Sequence, residues 1–295
     1  MVEIEYGLIM SAGLGTRMGP IGEVLPKVLW PIYETTLLSL QIKRLKELGC
    51  KKILVNSHFL HEQVVNFVKE KHDGEVEIFY ESILYGSGGT INELIAQKRI
   101  CPQGTLLYSA GDQFYFFDEK SFKIAIAQIK NYKTILFGLN VGKDSGYGEL
   151  ILNEQKILEH IKPTKNKMDD FVTFSGLGLI NLSKVSGQKG YSEFFRTVAP
   201  LGGNNKIINP NHQEYWDFGT ATKYFISMQN LTERLKNRTS DLKFIDFFLR
   251  NTQQNTYNFA EPLLFNTAGN LKFEIFFKGL SKGFSYNGLF HGING

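Results

Sequence analysis

The feature that most restricts the fold of this chain is a regular alternation of short apolar runs with helical patterns. The apolar run YGLIMSA precedes TTLLSLQIKRLKELG, where Leu38, Ile42 and Leu45 recur at helical spacing before a glycine. The same order repeats in KKILVNS with HEQVVNFVKEK, in VEIFYE with GTINELIAQ, in GTLLYSA with DEKSFKIAIAQIKNY, and then KTILFGLN. Because parallel strands need a crossover, which a helix usually supplies, the repetition predicts a mostly parallel sheet flanked by helices.

The predicted architecture is therefore α/β and Rossmann-like, and two segments depart from its alternation. From about 146 to 181 the sequence is rich in β-forming residues without long helices, which predicts a small β-rich insertion over the sheet edge. Beyond it, DLKFIDFFLR predicts a helix, and YNFAEPLLF with NLKFEIFFKG predicts a pair of strands. We expect one domain over 1–230 and a C-terminal helix and strand extension over 231–295 packed on it.

Composition excludes several classes of protein. The net charge is +4 over 295 residues without a dense basic block, so no nucleic-acid partner is expected. Cys50 and Cys101 lack the spacing of a zinc site or of a disulfide framework, which favours a reducing compartment. No apolar run approaches the roughly 20 residues of a membrane span, and the N-terminal MVEIEY is acidic. A cytoplasmic protein without membrane contact is expected, and self-association is left open.

The stretch IMSAGLGTRMGP, at 9–20, follows the first predicted strand and suggests an anion site. Gly13 and Gly15 allow backbone N–H groups to approach a phosphate, as at the carboxyl ends of strands in open α/β sheets. Arg17 adds a charged fork for phosphate oxygens, and Lys27 supplies a second cation. A tight turn with solvated charges is the alternative, and the spacing to Pro26 and Lys27 argues against it.

Two aspartates follow predicted strands and are candidate magnesium ligands. Asp112 ends YSAGD, and Asp217 lies in YWDFGT. Magnesium sites commonly use one or two carboxylates together with substrate phosphates. Either residue alone also reads as a helix cap, since Asp217 lies just before a predicted helix.

These motifs resemble the sugar-1-phosphate nucleotidyltransferases. The family pattern G-x-G-T-R followed by P-K appears as GLGTR at 13–17 and PK at 26–27. The resemblance continues in family order from about 6 to 226 through VNSHFLHEQV, YGSGGTINEL, LLYSAGDQFYF, HIKP, FSGLG and YWDFGTATKY. It implies magnesium-dependent transfer of a nucleoside monophosphate from a nucleoside triphosphate to a sugar 1-phosphate. The closest resemblance is to enzymes acting on N-acetylmuramate, mannose or heptose 1-phosphate.

The resemblance also implies roles for individual residues, with one departure from the family pattern. Members often carry an acid before the sugar-phosphate lysine, where this chain has Ile161. The implied catalytic residues are Arg17 and Lys27; the nucleotide-binding residues are Ser11, Ala12, Gly13, Gly15, Thr16, Gly88 and Gly89; the sugar phosphate-binding residues are Lys162, Ser175 and Gly176; and the Mg²⁺ ligands are Asp112 and Asp217.

Two other functions remain open at this stage. A cytidylyltransferase of the same fold acting on phosphocholine fits the departure at Ile161 and the unfamiliar C-terminus. A non-catalytic homologue that binds a nucleotide or nucleotide sugar as a regulator is the second alternative. The presence of Lys27 and of both aspartates favours an enzyme. Base and sugar identity depend on hydrogen-bond geometry that a sequence does not supply.

Overall fold

The computed structural model describes residues 2–33, 35–163, 169–185 and 189–252, and the backbone of four later strands. The strands are β1 Ile4–Met10, β2 Pro31–Ile32, β3 Thr35–Thr36, β4 Cys50–Ser57, β5 Val76–Tyr80, β6 Thr105–Ala110, β7 Gln113–Phe117, β8 Thr134–Val141, β9 Glu149–Leu152, β10 Leu158–Lys162, β11 Phe171–Asn181, β12 Asn205–Ile208, β13 Gln213–Asp217, β14 Leu263–Thr267, β15 Leu271–Phe276, β16 Gly283–Tyr286 and β17 Leu289–Gly292. The α-helices are α1 Leu37–Glu47, α2 His61–Lys71, α3 Gly86–Ala96, α4 Glu119–Gln128, α5 Phe194–Thr197, α6 Ala221–Asn237 and α7 Leu242–Thr252. Short 3₁₀ turns cover Thr16–Glu23, Lys27–Leu29, Ile129–Asn131 and Leu182–Lys184.

A seven-stranded sheet forms the centre of the fold, in the order β12-β8-β11-β6-β1-β4-β5. Neighbouring strands run parallel except at β11, which is antiparallel to both β6 and β8. The prediction of a mostly parallel sheet flanked by helices is therefore confirmed.

The sheet is covered on both faces, as its nearly continuous apolar strands require. Ile9 of β1 packs into one buried cluster with α1, α2, α4, α6 and α7, whereas its neighbour Leu8 packs into a second with α3 and α5. Val55 and Leu54 of β4 divide in the same way. The carboxyl ends of the parallel strands consequently form an edge where loops can build a site.

The β-rich segment predicted over 146–181 divides into two parts, a small separate hairpin and a strand of the main sheet. Only β9 and β10 form a separate antiparallel hairpin, whereas β11 is a central strand of the main sheet. Leu179 of β11 packs on one face and Ile180 on the other, so this strand is buried on both sides. Its strand character was visible in the sequence, but its pairing partners were not.

The predicted boundary at 230 falls inside α6, which spans Ala221–Asn237. The helix predicted in DLKFIDFFLR is present as α7, and its Phe244, Phe247 and Phe248 join the same buried cluster as Phe114 and Phe116 of β7. The predicted terminal strands correspond to β14 and β15, which pair antiparallel, and β16 and β17 extend that sheet. None of the helices in the described part of the chain has the length and apolarity of a membrane span.

Candidate active site

The two predicted metal ligands meet because β7 and β13 pair as an antiparallel ladder. Asp217 at the end of β13 lies opposite Gln113, the residue that follows Asp112. The ladder continues one step further, where the Phe218 amide donates to the Asp112 carbonyl at 2.8 Å. Two aspartates far apart in sequence are thereby held at one end of the same strand pair.

Gly219 keeps the space between the two carboxylates open. A Cβ atom at this position would lie 2.9 Å from Oδ1 of Asp217 and 3.1 Å from Oδ2 of Asp112. These distances are shorter than ordinary van der Waals contact, so any other residue would press on both side chains. The carboxylates therefore face a common point, with glycine as the residue that leaves it accessible.

Asp112 is paired with cations from the glycine-loop side. Nζ of Lys27 donates to Oδ2 of Asp112 at 2.8 Å, and the Lys27 side chain is largely buried. The Arg17 guanidinium lies 4.0 Å from the same oxygen and its side chain is 69% exposed. Lys27 is thus held in place by the fold, whereas Arg17 extends toward solvent where it can meet a ligand.

Asp217 has its own cationic partner on the opposite side. Nζ of Lys223 donates to its Oδ2 at 2.7 Å, the Tyr147 hydroxyl donates to the same oxygen, and the Gly219 amide donates to Oδ1 at 2.7 Å. The Lys223 ammonium also lies 4.4 Å from the centre of the Tyr147 ring. Asp217 does not cap the following helix, because that position is taken by Thr220, whose side chain accepts from the Lys223 amide.

The two side chains that donate to Asp217, Lys223 and Tyr147, are kept protonated by their surroundings. Burial by itself lowers the pKa of Lys223, but its hydrogen bonds to Asp217 and Tyr147 outweigh that effect and raise the pKa overall. Burial, together with the hydrogen bond to Asp217, raises the pKa of the Tyr147 phenol. At neutral pH this cluster therefore presents an ammonium and a neutral hydroxyl.

The start of the glycine loop is anchored to β4 through Asn56. Oδ1 of Asn56 accepts from the Ser11 amide at 2.6 Å and from the Ala12 amide at 3.3 Å, and the Ser11 hydroxyl donates to the Asn56 carbonyl. The Ser11 and Ala12 amides thus donate within the protein, and nucleotide binding by these two residues stays a prediction. Gly13 is exposed, and a Cβ there would meet no atom within 4 Å.

The tight turn of the loop requires a glycine at position 15. Its φ of 69° lies in the left-handed region, and a Cβ on it would lie 2.9 Å from the Gly22 carbonyl. Its own carbonyl accepts from the Met18 amide at 2.8 Å, which closes the turn that begins at Thr16. Thr16 and Arg17 are consequently exposed at the surface of this turn.

A buried carboxylate supports the anchor from beneath. Glu81, only 1% exposed, accepts from Nδ2 of Asn56 at 2.7 Å, from the Thr90 hydroxyl at 2.6 Å and from the Tyr85 amide at 3.2 Å. A buried carboxylate is tolerated only where several hydrogen bonds replace its hydration. Glu81 thus connects the glycine loop to the beginning of α3.

Gly88 and Gly89, which were predicted to bind the nucleotide, make close contacts within the protein. These glycines lie in the first turn of α3, where both amides donate to the Ser192 carbonyl, at 2.9 and 3.0 Å. Both residues are buried, and a Cβ on Gly88 would collide with Thr197. Their small size allows close packing against the segment around α5, and their contact with a nucleotide stays a prediction.

The predicted sugar-phosphate residues do not come together as one group. Ser175 is 1% exposed and lies with Gly176 in an irregularity of β11, where a Cβ on Gly176 would collide with Gln113. Ser175 and Gly176 line a small cavity together with Gln113 and Tyr115, and their contact with a sugar phosphate stays a prediction. Lys162 is exposed at the end of β10, opposite Glu149 in the hairpin.

The donor set fits a hard cation that also takes ligands from a phosphate. In the described residues, no group of three or more His, Cys, Asp or Glu side chains could enclose a metal by itself. Two carboxylates that face a common point match the requirement of Mg²⁺ for one or two protein oxygens with substrate phosphates completing the octahedron.

Sequence reasoning missed four residues of this site. Lys223 and Tyr147 contact Asp217, and Asn56 with Glu81 positions the glycine loop. Lys223 follows Asp217 at the third position of α6, a spacing that a careful reading of DFGTATKY could have found. Nothing in the sequence around Tyr147 or Glu81 marks their partners, which are distant in the chain.

The fold agrees with comparisons to known proteins. The family model described as Nucleotidyl transferase matches residues 6–181. The chain therefore belongs to the nucleotidyl transferase family. Its fold is also similar to the crystal structure of HddC from Yersinia pseudotuberculosis complexed with GMP-PN, with a TM-score of 0.64, 18% identity, and coverage of 77% of this chain and 100% of that one.

Curated relatives share parts of the sequence. The choline-phosphate cytidylyltransferase of Streptococcus pneumoniae is 40% identical over 65 residues, which are 22% of this chain and 28% of the relative. The D-glycero-alpha-D-manno-heptose 1-phosphate guanylyltransferase of Campylobacter jejuni is 26% identical over 153 residues, 51% of this chain and 65% of the relative. A bifunctional sugar-1-phosphate nucleotidylyltransferase/acetyltransferase of Sulfurisphaera tokodaii is 23% identical over 222 residues, 70% of this chain and 50% of the relative. The chain thus matches less than two thirds of the length of each of these relatives.

Proposed function

We propose that this protein transfers a nucleoside monophosphate from a nucleoside triphosphate to a sugar 1-phosphate and releases pyrophosphate. The observation that carries the proposal is the convergence of Asp112 and Asp217 across Gly219, with Lys27 and Arg17 arriving from the glycine loop. This arrangement combines carboxylates for a metal with cations for phosphates. Family membership supports the same reaction type.

The reaction needs positioning and charge neutralisation more than proton transfer. An oxygen of the acceptor phosphate, already ionised at neutral pH, attacks the α-phosphorus and forms a new P–O bond. The bond from the α-phosphorus to the bridging oxygen breaks, and its electron pair leaves with pyrophosphate. Since no proton must be removed from the attacking oxygen, a site without a general base is sufficient.

The residues of the site divide these tasks. Arg17, exposed at the loop surface, holds the departing pyrophosphate. Lys27 moves its hydrogen bonds from Asp112 to the phosphates near the reacting centre. Asp112 and Asp217 hold Mg²⁺, which when bound supplies neutralisation of phosphate charge. Gly13 leaves the approach to the loop unobstructed by a side chain.

The acceptor is expected among the sugar 1-phosphates, with N-acetylmuramate 1-phosphate and UTP, or mannose or heptose 1-phosphate and GTP, as leading pairs. The similarity to a heptose 1-phosphate guanylyltransferase supports the latter. Phosphocholine with CTP is a second candidate, favoured by the local similarity to a choline-phosphate cytidylyltransferase. Tyr147 and Tyr215, packed edge to face beside Asp217, also suit a cationic acceptor.

Pyrophosphate release tests the function directly. Each of the four nucleoside triphosphates is combined with N-acetylmuramate, mannose or heptose 1-phosphate or with phosphocholine, in Mg²⁺ and in excess chelator. Release with one base and one sugar 1-phosphate, abolished by the chelator, is expected. Release of pyrophosphate with phosphocholine and with none of the sugar 1-phosphates would show that the acceptor is phosphocholine and not a sugar 1-phosphate. Nucleotide binding without release for every combination contradicts the proposal and favours a regulator.

Variants of the aspartates provide the matched test. Asp112→Ala and Asp217→Ala should remove nearly all turnover while circular dichroism and the melting temperature show a retained fold. Asp73→Ala, at an exposed aspartate between α2 and β5, is the control and should retain turnover. Undiminished turnover in either site variant contradicts the metal role.

A further inference from the structure

The two aspartates of the site carry equivalent lysine partners on opposite sides. Lys27 lies 2.8 Å from Oδ2 of Asp112, and Lys223 lies 2.7 Å from Oδ2 of Asp217. The first lysine comes from the segment after the glycine loop, where the nucleotide is proposed to bind. The second comes from α6, on the side of Asp217 away from the glycine loop.

Lys223 is placed where an incoming anion can reach it. Its side chain is 41% exposed, although its ammonium contacts a largely buried carboxylate. It stands in the first turn of α6, a helix of 17 residues whose N-terminal end carries partial positive charge. Its ammonium also contacts the Tyr147 hydroxyl at 3.1 Å, so two donors converge on one position.

Tyr147 connects this position to the hairpin side of the site. It lies two residues before β9, and a Cβ at the intervening Gly148 would lie 2.8 Å from Cγ2 of Ile161. Its ring packs edge to face on Tyr215, and its hydroxyl also accepts from the Tyr215 hydroxyl at 3.3 Å. The phenol is thus fixed by packing, with its oxygen directed at Asp217.

Lys162, implied by the family resemblance, occupies a different place. It is exposed at the end of β10, opposite Glu149, and its carbonyl lies 3.5 Å from the position of a Cβ on Gly148. Its backbone is therefore near the site. The described partners of the Asp112 and Asp217 carboxylates, however, are Arg17, Lys27, Lys223, Tyr147 and the Gly219 amide, and none is the Lys162 side chain.

We propose that Lys223 and Tyr147 bind the phosphate of the acceptor, and that Lys223 supplies the principal positive charge there. The inference rests on the proposed function and assigns the acceptor side of that same site. A phosphate monoester offers several oxygens to the ammonium and the hydroxyl together, whereas Asp217 offers one. The acceptor phosphate then lies beside Asp217, across Gly219 from the nucleotide cations.

Binding is measured by calorimetry, separately for each substrate. The probes are mannose 1-phosphate, N-acetylmuramate 1-phosphate and phosphocholine, and, in the absence of acceptor, each nucleoside triphosphate with Mg²⁺. The variants are Lys223→Gln, Lys223→Arg, Tyr147→Phe and Lys162→Gln. Lys243→Gln, at an exposed lysine of α7 near Glu119, is the control.

Lys223→Gln should weaken the phosphate monoester by about 10- to 100-fold, because a hydrogen bond to a charged group is lost. Tyr147→Phe should weaken it by about 2- to 10-fold, since a neutral donor is lost. Lys223→Arg should retain most of the affinity, and Lys162→Gln and Lys243→Gln should stay within about twofold of the wild type. Triphosphate affinity should change by no more than about twofold in every variant.

The opposite pattern overturns the inference. A large loss in Lys162→Gln with none in Lys223→Gln assigns the acceptor phosphate to Lys162. Equal weakening of both substrates in Lys223→Gln indicates a structural role. If Lys223→Gln does not fold, Tyr147→Phe and Lys223→Arg test the inference in its place. The affinity of each variant for the phosphate monoester is again compared with its affinity for the triphosphate.

Failure of this inference is distinguishable from failure of the proposed function. If the wild type releases no pyrophosphate but binds a phosphate monoester in a Lys223-dependent way, the proposed nucleotidyl transfer is wrong and the phosphate site at Lys223 is supported. A wild type that turns over a sugar 1-phosphate with unchanged Michaelis constants in Lys223→Gln and Tyr147→Phe keeps the reaction and disproves the site. A wild type that binds no phosphate monoester disproves the site as well.

Discussion

Asp217 and Gln113 lie opposite each other in the β7–β13 ladder, and this register sets Asp112 beside Asp217. A shift of one residue would turn the Asp217 side chain to the other face of the strand pair, because side chains alternate along a strand. The site thus depends on strand register, and Gly219 then decides whether the space between the carboxylates stays open.

Replacing Gly219 with alanine should disable the site while the fold persists. The added methyl group would lie 2.9 Å from Asp217 and 3.1 Å from Asp112, so the carboxylates must separate. We expect turnover to fall by about 100-fold or more, since small misplacements at a reacting centre have effects of this size. Pyrophosphate release measures this loss. Gly142→Ala, where a Cβ meets only ordinary contact at 3.8 Å, is the control. Near-normal turnover in Gly219→Ala would show that the two aspartates do not act at a common point.

Lys27 and Arg17 should affect turnover more than triphosphate affinity. Both are proposed to act on charge that develops during transfer, and such interactions lower the barrier more than they stabilise the bound substrate. We expect Lys27→Ala and Arg17→Ala each to lower kcat by at least about 10-fold, with triphosphate affinity less affected. Steady-state kinetics and calorimetry separate the two effects. Reduced affinity with unchanged kcat would contradict the assigned role.

Glu81→Gln should weaken both the fold and nucleotide binding. Three donors, from Asn56, Thr90 and Tyr85, point at the two carboxylate oxygens, so an amide NH₂ in either position must face a donor. Leaving a buried polar group unsatisfied costs about 1–3 kcal/mol of unfolding free energy. Urea unfolding measures that cost, and calorimetry should show weaker triphosphate binding because Asn56 anchors the loop. Glu154→Gln, at an exposed position, is the comparison and should change neither quantity. A Glu81→Gln protein with wild-type stability would show that the hydrogen bonds of Glu81 do not stabilise the fold.

His72 should make the protein less stable in mild acid. Burial lowers its pKa below the ordinary 6.5, although its hydrogen bond to Glu75 opposes the shift, and nearby Lys43 and Lys46 favour the neutral ring. The unfolded chain therefore binds a proton on His72 more readily than the folded protein does. The free energy of unfolding consequently decreases as the pH falls from the His72 pKa of the unfolded chain toward the lower His72 pKa of the folded protein.

The measurement is urea unfolding between about pH 7.5 and about pH 5.5, a window in which Glu75 stays ionised because its own pKa is lowered below 4.5. The wild type should lose more unfolding free energy across this window than His72→Gln, which lacks the titrating ring. Equal losses in the two proteins would place the pH dependence elsewhere.

The elements of the sheet were predictable because their signals are local. Helical spacing in α1 and the apolar runs of β1 and β4 are written in consecutive residues, and their burial on both faces follows from that pattern. The place of β11 was not predictable, because its partners β6 and β8 are selected by the packing of the whole sheet.

The site shows the same division between local and distant signals. The loop at 13–17 and the two aspartates stand in recognisable motifs, and the structure brings Arg17, Lys27, Asp112 and Asp217 together. Gly88 and Ser175 also stand in motifs, but their burial in the fold is not visible from those motifs. Tyr147 contacts Asp217 only once the segment before the hairpin has folded, so no local sequence pattern predicts this contact.

The pairing of β7 with β13 also has a consequence for how the chain emerges from the ribosome. Gln113–Phe117 is an apolar strand whose partner is synthesised much later, after β8, β11 and β12. Until Gln213–Asp217 has been synthesised, the QFYFF strand lacks the strand with which it pairs in the folded protein. Unpaired apolar strand edges promote aggregation of incompletely folded chains. Pairing of β13 with β7 therefore brings the two aspartates together and covers this edge in one step, so a chain that ends before β13 would lack the aspartate pair and expose an aggregation-prone strand.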